Sequence, residues 1–368
     1  MAILSSLFHD LFFALSYPTA TISRLRFETT KTPVYRWHAQ SYDGEHLDIG
    51  SELAVPDDVT VDHALRWMDD QAKPWALYMN LQATHFPYRI PAGEPTPFTP
   101  TEPDAGSFNY LRYPRSDREV ALNRYDNALS YVDRQLGRIE QHLRATGQLD
   151  STIWIITADH GEMFFEHDMV THGKTLFDSE ARVPIMVHWP SHLKPMSVDA
   201  PVSNLDVMPT FADLVDLPPH PSFQGKSLLS ASSGEEDARA IYMNIQGLRT
   251  SEAVVCWPYK LIVEHAGGHV RLFDLEQDPG ELRDLASKKV RVSESLRQTL
   301  RGQMRAQVEY HGKDDSFRTV RYAPRLARCP NVGVRRTAES SGDGVAKAPQ
   351  GPLPNEPAAL PKPPPRVF

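Results

Sequence analysis

Cysteine, long apolar runs and positive charge are all scarce in this chain. Only 2 of its 368 residues are Cys, and no Cys-x-x-Cys pair exists. A disulfide framework and a structural zinc site are therefore not expected. No apolar run reaches about 18 residues, so no membrane span is expected. Lys and Arg number 39 against 47 Asp and Glu, a net charge of −8. A nucleic-acid binder would show a basic face instead, so nucleic acid is not an expected partner, although a basic pocket stays open. There are no internal repeats. The opening residues MAILSSLFHDLFFALSYPTA lack a basic leader, and His9 and Asp10 interrupt their apolar part. They read as an amphipathic helix or a displaced core strand rather than a signal peptide; the compartment stays open, cytoplasmic only by default.

What remains is ordinary globular material, 40% hydrophobic and 23% charged, long enough for one large or two unequal domains. Residues 1–56 show no sustained period. Asp57-Asp58 follows Pro56, and Asp69-Asp70 ends a helical pattern through Ala64, Leu65 and Met68. Both pairs read as solvated helix-end acids. Residues 75–82 read as a buried strand, with His85 just past its end. Residues 89–116, rich in Pro, Thr and aromatics, make a long surface excursion of the kind that often forms a lid. Leu122, Tyr125, Leu129, Val132, Leu136, Ile139 and Leu143 step by three and four, which predicts a helix over 117–145, stopped at Gly147.

An apolar run at 153–156 predicts a second buried strand, breaking at Asp159-His160-Gly161. Strand, helix and strand in succession predict a βαβ unit and a parallel sheet. A polar segment with His167, His172 and Lys174 leads to another strand at 183–189. A helix at 205–215 follows, then strands at 241–245, 253–264 and 269–275 with Gly267-Gly268 as a hairpin turn, and a helix at 293–310. The expected division is an irregular segment 1–56, an α/β domain 57–235, an antiparallel subdomain with a helix 236–315, and a Pro-rich disordered tail 316–368.

The chemistry concentrates after residue 158. Asp159 and His160 offer one carboxylate and one imidazole at the end of a strand, where open α/β sheets place ligands. Such donors suit a divalent cation, Ca²⁺, Mg²⁺ or Mn²⁺, with imidazole favouring Mn²⁺ or Zn²⁺. Gly161 permits close backbone approach to an ion. Lys174 is a mobile cation suited to a tetrahedral oxyanion.

The run TADHGEMFFEHDMVTHGKTLFDSEARVPIMVHWP, 157–190, resembles the metal- and substrate-binding segment of sulfatases, within the alkaline phosphatase superfamily. Four more matches lie in family order: the strand end at 80–88 with His85, Asp206-Val207-Met208-Pro209-Thr210, Gly225-Lys226-Ser227-Leu228, and the segment 272–281 ending Asp278-Pro279-Gly280-Glu281. Together they span about residues 57–310. The resemblance implies an alkaline-phosphatase-like, mostly parallel central sheet flanked by helices, incomplete at its N-terminus, with a smaller C-terminal antiparallel sheet. It implies Asp159 and His160 as metal ligands, Ca²⁺ first among the ions. Lys174 then binds the sulfate oxygens, and His85 donates to the sulfate or leaving oxygen. His172, and less directly His167, lie near enough to contribute. The partner implied is a small-molecule or glycan sulfate ester. Many arylsulfatases carry Asn where His160 stands, and His is the version of phosphonate and phosphodiester hydrolases, which keeps those esters as an alternative.

Two family features are not found in the sequence: an early strand ending in an acidic pair, and Cys/Ser-x-Pro-x-Arg, whose first residue becomes formylglycine. Ser16-Tyr17-Pro18-Thr19-Ala20 has Ala20 in place of Arg, and Cys256-Trp257-Pro258-Tyr259-Lys260 falls in the C-terminal sheet. The expectation is a chain truncated at its N-terminus, with an incomplete metal site and weakened or no activity, or a pseudoenzyme serving as a binding or scaffold module.

Overall fold

The structure, a computed structural model, describes residues 56–71, 74–101, 109, 112–220, 223–232, 239–245, 250–311 and 326–331, and the backbone of two strands at 19–23 and 39–42. Those strands, β1 (Thr19–Ser23) and β2 (Ala39–Tyr42), lie in the stretch that shows no periodicity. They pair in parallel, and β1 also pairs in parallel with β3 (Ala76–Asn80). Between them comes α1 (Asp57–Asp70). It buries Val61, Ala64, Trp67 and Met68, a stripe of helical spacing. The stripe packs on Ile139 and Leu143 of α2 (Arg118–Ala145).

The long helix forms over the predicted span, and Gly147 at φ +67° ends it. Of the expected stripe, Ile139 and Leu143 are buried and Leu122, Tyr125, Val132 and Leu136 pack half-buried against the core. Ala121, Ala128 and Tyr131 are buried, while Leu129 is 49% exposed. Small residues let α2 approach the loops beneath it, and Leu129 falls on the solvent side.

After α2 come β4 (Trp154–Thr157), the short hairpin β5 (Met163–Phe164) and β6 (Val170–Thr171), helix α3 (Asp178–Ala181) and β7 (Ile185–His188). Among the described residues β4 pairs antiparallel with β7, not in parallel with β3. The two strands are only half buried, and Met186 is 53% exposed. The expectation of a buried strand at 153–156 is corrected: among the described residues β4 has one ladder partner and is half buried.

The chain continues through α4 (Val207–Leu214) and α5 (Leu228–Ser232) into β8 (Ile241–Ile245), β9 (Ser251–Cys256), β10 (Tyr259–Glu264) and β11 (His269–Asp274), then α6 (Val290–His311). The strand read as 253–264 is a hairpin folded at Trp257-Pro258. The sheet is antiparallel in the order β11-β10-β9-β8. Strand alternation gives it two apolar faces. Val254, Leu261 and Leu272 meet Leu296 and Leu300 of α6. Ala253, Val255, Ile262 and Phe273 meet Leu176 and Phe177, which directly follow the Lys174 turn.

Cys256 and Cys329 form a disulfide across 73 residues, a correction to the composition-based reading. One bond between late residues needs no framework: it fastens 326–331, assigned above to the tail, against β9. Ala327 N–H also donates to Gln303 Oε1 at 3.1 Å. The remaining tail and the Met1–Ala20 reading, apart from the β1 backbone, lie outside the described residues.

Candidate active site

Buried carboxylates gripping backbone amides shape the loops that carry the candidate residues. At the end of β3, Asp57 is 2% exposed and accepts from Gln82 N–H at 2.8 Å and Ala83 N–H at 2.8 Å. This corrects the reading of Asp57 as a solvated helix-end acid. The carboxylate takes up the amides just past the last paired residue of the strand. His85 follows two residues later, its Nδ1 donating to the Phe86 carbonyl at 2.8 Å. Asp58 accepts from Tyr131 Oη at 2.9 Å. Asp69 and Asp70 are exposed, as expected.

At the end of β4, Thr157 Oγ1 and Asn204 close the approach to the Asp159 turn: Asn204 Nδ2 donates to the Ala158 carbonyl at 2.8 Å. His160 N–H donates to Asp159 Oδ1 at 3.1 Å, and His160 Nδ1 donates to the Gly161 carbonyl at 2.8 Å. A carbonyl only accepts, so Nδ1 carries a proton in this arrangement. Gly161 serves close backbone packing here. A Cβ on it would lie 2.5 Å from the Ser179 carbonyl oxygen, and its N–H donates to the Glu180 carbonyl at 2.6 Å.

Three imidazoles come together. The His160 and His172 rings are 4.2 Å apart, and His85 lies 5.1 Å from His172. Phe86 packs against His172 at 5.5 Å. Glu162 orients His172, with Nδ1 at 3.1 Å and 3.2 Å from its two carboxylate oxygens. Burial alone would lower the His172 pKa. The Glu162 hydrogen bond and the charges of Glu162, Glu180 and Asp159 outweigh it and raise the pKa. Lys174 lies two residues on, its Nζ donating to the Val170 carbonyl at 2.7 Å.

His167 is drawn elsewhere. Its ring stacks on Phe177 at 3.6 Å, facing the C-terminal sheet and apart from the other three imidazoles. It belongs to the β5–β6 turn, where Phe165, His167, Asp168 and Thr171 all have positive φ. Non-glycine residues persist there only when their surroundings fix them. Arg118 donates to the Phe164 carbonyl and pairs with Glu166 at 3.2 Å, and Arg115 pairs with Asp168.

The expected lid is partly fastened down. Asn127 on α2 exchanges two hydrogen bonds with the Phe98 backbone at 3.0 and 2.9 Å, and Arg134 pairs with Glu94 at 2.7 Å. The 206–210 motif proves to be a clamp. Asp206, fully buried, accepts from Ser203 N–H, Lys226 N–H and Arg239, the last at 2.7 and 2.8 Å. Gly225 passes so close to the Leu205 carbonyl that any side chain would collide with it.

Asp159 and His160 have the donor chemistry of a divalent-cation site. Among the described residues no group of three His, Cys, Asp or Glu side chains is placed to hold a metal ion, whereas a hard cation takes about six ligands. Glu162 and Glu180 were not singled out in the sequence. Their only signal is position, Glu162 two residues beyond His160 and Glu180 six beyond Lys174. Cys256 is fully buried and disulfide-bonded, which removes it as a nucleophile.

The fold is that of sulfate- and phosphonate-ester hydrolases of the alkaline phosphatase superfamily. A phosphonate monoester hydrolase from Silicibacter pomeroyi superposes with a TM-score of 0.62 at 18% identity, covering 84% of this chain and 81% of that one. A protein solved with its substrate D-glucosamine-2-N,6-O-disulfate superposes at 0.61 and 17% identity, covering 85% and 83%. The sulfatase family model matches residues 12–217, more than half of the chain, and the C-terminal model of N-sulphoglucosamine sulphohydrolase matches 166–309. The chain belongs to the sulfatase family, whose members are sulfuric ester hydrolases that generally use a divalent metal and formylglycine. Arylsulfatase K of Danio rerio is 25% identical over 296 residues, covering 68% of this chain and 56% of the relative. The chain thus spans about half the length of that curated relative.

Proposed function

We propose that this chain acts on sulfate esters of small molecules or glycans. The observation that carries the reading is the convergence of His85, His160 and His172 beside Asp159 and the Lys174 turn, in a chain of the sulfatase family. Lys174 places positive charge on the sulfuryl oxygens as negative charge grows there. His85, with His172 in support, would give the proton that the departing alkoxide takes, while the attacking oxygen would be that of the family's formylglycine, to which no residue of this chain is assigned. Asp159 and His160 are the donors this chain contributes to a divalent cation, Ca²⁺ first and Mn²⁺ or Mg²⁺ after it. Such an ion would add Lewis-acid charge at the same oxygens. The same reading joins β2-β1-β3 and β4-β7 into one mostly parallel central sheet.

The test is turnover of 4-nitrophenyl sulfate and of a glucosamine sulfate by the 368-residue chain with Ca²⁺ or Mn²⁺, with Lys174→Ala as control. Any turnover the chain retains is expected to fall about 100-fold or more in the variant, the scale of losing one charge-stabilising group. Turnover of a phosphonate ester but no sulfate would replace this reading with the one His160 suggests. Binding of sulfate ester without any turnover would make the chain a binding module.

A further inference from the structure

Glu180 touches both halves of the candidate site. Its backbone carbonyl accepts from Gly161 N–H at 2.6 Å, in the turn that carries Asp159 and His160. Its carboxylate accepts from the N–H groups of Gly173 at 2.6 Å, Lys174 at 3.2 Å and Thr175 at 3.1 Å, in the turn between His172 and Lys174. The residue is 4% exposed. A buried carboxylate is costly unless its oxygens are satisfied, and three amide donors satisfy these. The link is short and stiff, because Glu180 sits in α3, whose first residue, Asp178, is held from the other side. Asp178 pairs with Lys260 at 2.6 Å, and its N–H donates to Glu281.

We propose that Glu180 is a positioning residue that sets the distance between the Asp159-His160 turn and the His172–Lys174 turn. Main chain grips one turn and side chain the other, so neither can shift without straining the same residue. The inference rests on the sulfate-ester reading above for what the two turns bind. It predicts that Glu180→Gln, which keeps the shape and removes the charge, loosens the Lys174 turn and weakens oxyanion binding while the fold persists.

Two measurements on the full chain test it. Hydrogen exchange in Glu180→Gln should speed up at Gly173, Lys174 and Thr175 and also at Gly161, whose own acceptor is untouched by the substitution. Inorganic sulfate affinity, read by calorimetry, should fall about tenfold, as losing a charge-assisted hydrogen bond would cause, with the melting temperature little changed. Faster exchange confined to 173–175, or unchanged affinity in a variant that melts much earlier, would reduce Glu180 to a local stabiliser and overturn the proposal. If the unmodified chain binds no sulfate, the sulfate-ester reading fails, and exchange at Gly161 alone decides the positioning role. Should Glu180→Gln not fold, Thr175→Pro, which deletes one of the three donors, takes its place, with exchange read at Gly173, Lys174 and Gly161.

Discussion

The C-terminal sheet and the β4–β7 pair make opposite uses of the same chain. In the four-stranded sheet both faces are covered, one by α6 and one by Leu176 and Phe177. In the pair, the strands are half buried and Met186 stands 53% exposed. Yet the pair leads into the candidate chemistry and the sheet carries none of it. The sheet is the foundation, and the site loops are fastened to it through Lys260. That side chain is fully buried and pairs with Asp178 at 2.6 Å and Glu281 at 2.9 Å. Burial pushes the Glu281 pKa up, and the Lys260 charge beside it pulls the other way.

Removing Lys260 should break the comparison most severely. Lys260→Met leaves two acids facing each other with no cation, and about 3–5 kcal/mol of stability should disappear in a urea titration. A loss below about 1 kcal/mol would mean the two regions are not coupled through this cluster. Next, Leu272→Ala, in the covered sheet, should cost about 2–5 kcal/mol, whereas Met186→Ala, on the exposed pair, should stay within about 0.5 kcal/mol. Equal losses would erase the contrast in burial.

The smallest effect is in pH. Burial, then the Arg271 and Lys260 charges, lower the His167 pKa, against Glu166 and Asp278. The folded state therefore binds this proton less readily than the unfolded state. Stability is full above about 6.5, the ordinary His value, and declines as pH falls from there toward the lowered value. His167→Gln should flatten that decline in thermal melts across pH 5–7. An unchanged slope would show that His167 does not contribute.

The candidate site residues were easier to read than the residues that hold them. His85, Asp159, His160, His172 and Lys174 stand out by type and by spacing after strand ends, and the structure gathers the first four around one point. Asp57, Glu180 and Asp206 gave no such signal as clamps. An acid at a helix end is usually solvated, and nothing local says that amides 25 residues distant will turn toward Asp57. The α2 stripe held except at Leu129, for a related reason. Spacing finds a helix face, but partners choose which positions are covered, and here they chose the alanines over Leu129. The disulfide depends on a separation of 73 residues, which a count of two cysteines cannot convey.

That bond makes the end of the molecule a closed covalent ring. β10, β11 and α6 lie within it, and so do Lys260 and Glu281, two of the three members of the buried ion cluster. Asp178 lies outside. The site loops are thus moored by salt bridges to a ring whose unfolded chain has fewer conformations to gain, a restriction of about 4 kcal/mol for a loop of 73 residues. Such a ring closes where thiols are oxidised and is rare in a reducing cytosol. The mooring strength of the site is therefore tied to the redox state of its surroundings.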